Sequence, residues 1–216
     1  MRRPLAALLL LACSLTFARA ATEQEVVNRS ANILRGFRSM PESAIPDAVL
    51  RNARGLAVLT VVKIGFGFSG QGGQGVVVAR TGGGWSGPCF IGTGGVGWGL
   101  QIGAQISEFV FVLNTREAVR AFSRDGNVTL GADISAAAGP VGRDVQAGLA
   151  PTAAVYTYSR SKGLFAGISL EGKIVATQKT ANERYYGGPV TAGQILTGRM
   201  PPPRGAARLR AALRGY

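Results

Sequence analysis

Histidine is absent from this chain of 216 residues. Its absence removes Ser-His-Asp triads, histidine-ligated zinc and histidine-ligated haem in one step. Cysteine occurs only at Cys13 and Cys89, and Cys13 falls in a leader-like segment. One remaining thiol makes no internal disulfide even in an oxidising compartment, so Cys89 reads as a small buried thiol in a strand. Acid is scarce too, with 11 Asp plus Glu against 24 Lys plus Arg and a formal charge of +13. Those acids are scattered singly, so no metal cluster and no carboxylate pair stands out, and no cofactor is expected. Beyond the N-terminus no apolar run reaches the ~20 residues of a spanning helix.

Positive charge and glycine are what the chain has in excess. Met1-Arg2-Arg3 forms a basic start, Leu5 to Phe17 an apolar stretch, and Ala18-Arg19-Ala20 a small-x-small cleavage site. This predicts a signal peptide over residues 1–20, cut between Ala20 and Ala21, and a periplasmic or envelope-associated product. A second reading takes Leu10-Leu11-Ala12-Cys13 as a lipoprotein box with Cys13 lipidated. In both readings the protein leaves the cytoplasm. Without Arg2, Arg3 and Arg19, 21 basic residues face 11 acids, an excess of +10 that favours anionic partners.

The 32 glycines concentrate between Gly55 and Gln105, where they alternate with β-branched runs such as Ala57 to Ile64 and Val76 to Ala79. Interior glycines cost a helix roughly 0.5–1 kcal/mol each, whereas short Val/Ile/Phe runs bounded by glycine suit strands and turns. The stretch predicts a strongly bent antiparallel, barrel-like sheet. Between Asp47 and Glu108 it holds Arg51, Arg54, Lys63 and Arg80 and no acid at all.

The flanks read as helices and short strands. Thr22 with Glu25 is a capping-box signature, and Val26, Val27, Ala31, Ile33, Leu34 and Phe37 fall on one arc of an amphipathic helix. Two readings stand: the arc packs on the sheet, or it inserts into a membrane interface. Pro46 to Arg54 forms a second short helix and Asn114 to Arg124 a third. Ser107 to Leu113, Val128 to Ala138 and Thr152 to Tyr158 read as strands. Leu164 to Leu170 and Lys173 to Thr177 read as a hairpin, and helices begin near Thr180 and Thr191. The arginine-rich stretch from Arg199 to Tyr216 reads as a linker and a mobile or weakly helical tail.

Several motifs tempt and fail. Gly65-x-Gly67-x-x-Gly70 and Gly92-x-Gly94-x-x-Gly97 match the dinucleotide pattern, but neither opens a helix that would hold a pyrophosphate. Ser159-x-x-Lys162 has acyl-enzyme spacing without its partner motifs and reads as a polar turn. Nucleic acid suits the charge but not an exported chain, so none is expected as a partner.

The longer motifs are collinear with one family. Ala53-Arg54-Gly55-Leu56-Ala57, VVKIGFGFSGQGGQGVVVAR from Val61, WSGPCFIGTGGVGWGLQIGAQ from Trp85, YSRSKGLFAGISLEG from Tyr158 and Asn182-Glu183-Arg184-Tyr185-Tyr186 together resemble the SYLF domain. The resemblance runs from Ile45 to Pro201 and so leaves out the first helix and the basic tail. It implies a single α+β domain over residues 21–198, with a glycine-rich barrel-like sheet, an N-terminal amphipathic helix and a few short packed helices. It also implies a non-enzymatic module that binds anionic phospholipid or phosphoinositide head groups at a membrane surface. On that expectation Arg51, Arg54, Lys63 and Arg80 attract head groups, while Val26, Val27, Ile33, Leu34 and Phe37 make membrane contact. The alternatives are a structural protein of the cell envelope, and actin binding as in eukaryotic members.

Overall fold

A computed structural model describes residues 21–39, 45–140, 153–163 and 174–214. The expected signal segment, with Cys13 and the Ala20 side of the cleavage site, lies outside the described residues, as does most of the expected hairpin at 164–173. The protein is a single α+β domain built on a curled, barrel-like sheet.

Helix α1 (Glu23–Arg38) opens with the expected capping box: Thr22 Oγ1 accepts from Glu25 N–H, and the Glu25 carboxylate accepts from Thr22 N–H. Helix α2 (Asp47–Asn52) starts after Pro46, where the ring sets the first backbone angle. Two long strands follow, β1 (Gly55–Thr81) and β3 (Cys89–Leu113), with the two-residue β2 (Gly84–Trp85) beside the turn between them. Of the strands, bends and turns the glycine clusters suit, strand is what forms: they lie inside one ribbon paired from Gly55↔Leu113 to Val77↔Cys89, with a register shift between Phe66 and Phe68.

The ribbon folds over on itself. A Cβ at Gly75 would overlap the carbonyl oxygen of Val58, and one at Gly73 would press on Thr93, Val61 and Thr60. Missing side chains at these two positions let one arm of β1 lie against the other. The fold-over encloses an inner face of Ala57, Leu59, Val61, Val77, Ile91, Phe109 and Phe111. Helices α3 (Arg116–Phe122) and α5 (Ala192–Leu196) contribute Ala118, Phe122, Ile195 and Leu196 to the same cluster.

Alternate residues form the outer face. Leu56, Val58, Val76, Val78, Val110 and Val112 pack there against Val27, Ile33, Leu34 and Phe37 of α1. Beside β3 runs β6 (Val155–Gly163), from Leu113↔Val155 to Gln105↔Gly163. Strand β5 (Ala136–Ala138) pairs parallel to β6. The expected strand from Val128 to Ala138 is thus split: β4 (Asn127–Thr129) ends in a turn where Asp133 accepts from Thr129 N–H and Gly131 takes φ of 91°. Strand β7 (Ile174–Thr177) joins β4 to β3. Ser159 to Lys162 lies within β6 and is not a turn.

The last segment, expected as a linker and a mobile or weakly helical tail, is helical and packed. A 3-10 turn (Arg204–Ala206) leads into α6 (Ala207–Leu213), which packs on α1. Ala206, Leu209, Ala212 and Leu213 recur at helical spacing and are buried, the last three in the outer cluster. Arginines occupy the solvent side of the same helix, which is why composition alone reads as a tail.

Candidate functional site

The five apolar side chains assigned to membrane contact are all buried: Val26, Val27, Ile33, Leu34 and Phe37 face the sheet or α6. Their arc is the packing face of α1, and in the folded protein it is not available for insertion. The first of the two readings of this helix is the one observed.

Of the four basic residues, the fold brings three together. Arg51 lies in the last turn of α2, and Arg54 follows it three residues on. Arg54 N–H donates to Leu113 O, and Arg54 O in turn accepts from Arg80 N–H at 2.8 Å. The two ends of β1 therefore meet at the base of the ribbon, and Arg51, Arg54 and Arg80 are all exposed there. The Arg80 guanidinium lies 4.4 Å from the Trp85 ring centre, a cation–π contact that orients it. No ion pair among the described residues engages any of these three arginines. Asp47, one turn before Arg51, makes none. Lys63 stands apart: at ~3.3 Å per residue it lies about 25 Å further along β1.

The opposite end of the ribbon is different in kind. Outer-face positions that are covered by α1 at the base continue past it as Val62, Ile64 and Ile106, with Val62 opposite Ile106 in the pairing. Together with Val96, which is 93 % exposed, these are the large exposed apolar side chains of β1 and β3 among the described ones. The boundary between the covered and the open face is an ion pair between Glu108 and Arg160, set beside Gly36 and Phe37 at the end of α1.

Among the described residues no group of three or more Cys, Asp or Glu side chains is placed to hold a metal ion. Cys89 is buried, and burial pushes its thiol up to about 12 even though Asn182 donates to the sulfur at 3.5 Å. Both glycine fingerprints lie in β1 and β3, with no helix opening after either.

Sequence reasoning missed Asn182 as a structural pin. Its carboxamide oxygen accepts from Phe90 N–H at 2.7 Å, so α4 (Lys179–Tyr186) is fastened to β3 by a fully buried side chain. It also missed the open apolar tip, whose signal was legible as Val62 and Ile64 in alternation with Lys63.

Residues 94–216 match the Ysc84 family, described as Las17-binding protein actin regulator. LAS seventeen-binding protein 3 of Saccharomyces cerevisiae is 47% identical over 167 residues, which are 75% of this chain and 36% of that protein. SH3 domain-containing YSC84-like protein 1 of Homo sapiens is 43% identical over 189 residues, 84% of this chain and 55% of the relative. An SH3 domain-containing protein of Schizosaccharomyces pombe is 45% identical over 170 residues, 76% of this chain and 40% of the relative. The chain thus spans roughly a third to just over half of these relatives. The family match takes in α6, which the resemblance read from the sequence leaves out. With its ribbon, its packed terminal helices and this match over more than half its length, the chain belongs to the Ysc84 (SYLF) family.

Proposed function

We propose that this protein is a non-enzymatic docking module whose basic ribbon base binds an acidic protein surface. The observation that carries the reading is the cluster of Arg51, Arg54 and Arg80, exposed and without carboxylate partners among the described residues. Charge arranged in this way speeds encounter and selects partners of opposite sign. The family description as actin regulator makes filamentous actin the first partner to test. Co-sedimentation with filaments is the experiment. Wild type is expected to pellet with filaments, more weakly in high salt, and the double variant R54E/R80E to need at least about tenfold more filament. Equal pelleting of the two proteins would sink the reading.

A second reading keeps an anionic lipid surface as partner, and the observation in its favour is the uncovered apolar tip of the ribbon. Here the contribution of each near-surface basic residue is ~1 kcal/mol. Export through a signal peptide cut after Ala20 is also proposed, on Ala18-Arg19-Ala20 alone. Intact mass of the secreted protein distinguishes a chain starting at Ala21 from one lipidated at Cys13.

A further inference from the structure

The seam between α1 and α6 gathers two positive charges on one neutral atom. Asn32 Oδ1 accepts from Arg35 Nη1 at 3.3 Å, within α1, and from Arg208 Nη2 at 3.0 Å, across the seam in α6. Because both nitrogens reach the same oxygen, they stand at most about 6 Å apart, where like charges repel. A carboxylate at position 32 would cancel part of that charge; a carboxamide orients both groups and cancels none. The surroundings add more of the same sign. Arg29 and Arg204, about one turn before Asn32 and Arg208, are exposed. None of these four arginines has an ion pair among the described residues. Both acids of α1 are already engaged, Glu23 with Arg184 and Glu25 in the capping box. No acid follows Glu183 in the sequence, so α6 brings none.

Two guanidinium forks that converge from different helices suit a tetrahedral oxyanion, which offers acceptor oxygens to each of them. We propose that Arg35 and Arg208 bind a phosphate- or sulfate-type oxyanion at the α1–α6 seam. Asn32 holds the two groups in place, and the ligand fastens α6 to α1. A soluble ion or phosphorylated small molecule fits the seam better than a lipid head group does. The large apolar side chains of both helices are buried, so the seam has none to seat in a bilayer. The site shares no residue with the ribbon base, whose arginines lie on α2, on β1 and in the link between them.

The test is thermal unfolding of wild type, N32D, R35A and R208A in phosphate and in chloride at equal ionic strength, which removes general screening. Asn32, Arg35 and Arg208 are exposed, so all three variants are expected to fold. With about 20 mM phosphate and a millimolar Kd, the wild-type Tm should rise by about 3 °C or more. N32D supplies its own carboxylate. It should be more stable than wild type in chloride and keep less than about a third of the phosphate shift. R35A and R208A should lose the shift as well. A phosphate shift of equal size in wild type and N32D is an effect on the whole surface and overturns the site. So does a wild-type Tm that phosphate leaves unchanged. Wild type that ignores phosphate but binds phosphatidylglycerol–phosphatidylcholine vesicles through Arg35, with binding lost in R35A, would give the guanidiniums to a membrane surface and also overturn the proposal.

Discussion

Glu108 and Arg160 stand directly opposite each other on β3 and β6 and form an ion pair with only about a quarter of each side chain exposed. The guanidinium also lies 5.2 Å from the centre of the Phe37 ring, and Gly36 leaves it room, since a Cβ there would come within 2.5 Å of it. Strand pairing, helix end and charge are thereby locked at one point. E108A leaves a largely buried guanidinium without its carboxylate and should cost about 1–2 kcal/mol in urea unfolding. R160A should cost as much or more, because the ring contact goes too. A double-mutant cycle is expected to show positive coupling between the two sites; additive losses would mean the pair contributes nothing beyond its separate contacts.

Gly75 and Gly72 lie three residues apart on β1 and should respond in opposite ways. G75A pushes a methyl group into the Val58 carbonyl, where only backbone can move, and is expected to cost about 3 kcal/mol or more. G72A points into open space and should change the unfolding midpoint little. Thermal and urea unfolding of the two variants, side by side, tests the fold-over of the ribbon.

Leu209 and Leu213 carry the packing of α6 on α1. Each is buried to within 1 % of complete cover, so L209A and L213A are each expected to lose about 2–5 kcal/mol. A chain ending at Gly198 exposes the α1 side of that contact and should unfold at a markedly lower temperature. An unchanged Tm would return residues 199–216 to the status of a tail.

High pH should destabilise the protein more steeply than exposed phenols would. Burial raises Cys89 and Tyr185 each to about 12, from ordinary values of 9.0 and 10.0, and raises Tyr158 and Tyr186 further still. All four are neutral when protonated, and the folded state holds their protons after the unfolded chain has begun to release them. Stability is therefore unaffected below about pH 9 and falls as pH rises from there toward 12 and beyond. Urea midpoints at about pH 8 and pH 11, with the phenolate absorbance followed in parallel, measure the loss. Phenols that titrate at their ordinary value in the folded protein would refute it.

Much of this architecture was legible from local chemistry. The capping box at Thr22 and Glu25, the start of α2 after Pro46 and the buried state of Cys89 follow from residue types a few positions apart. The reach of the ribbon does not. Gly70, Gly72, Gly73 and Gly75 look like turn punctuation, yet they are strand residues whose role appears only when the second arm of β1 is in place. The same limit applies to the site. Arg51 and Arg54 are neighbours in sequence, but the backbone bond that adds Arg80 to them joins residues at opposite ends of a 27-residue strand. In α6 the arginines masked Leu209, Ala212 and Leu213, because charge was weighed ahead of period.

The packing of α6 on α1 also has a consequence for the order of folding. Gln24 donates to the carbonyl of Gly205, joining residues 181 apart, and Arg208 donates to Asn32 across 176. A ribosome delivers α1 long before α6, so the outer cluster cannot close until α6 has emerged. Until then the face of Val27, Leu34 and Phe37 waits without its final neighbour. Closing so long a loop carries an entropic cost that is met late in synthesis.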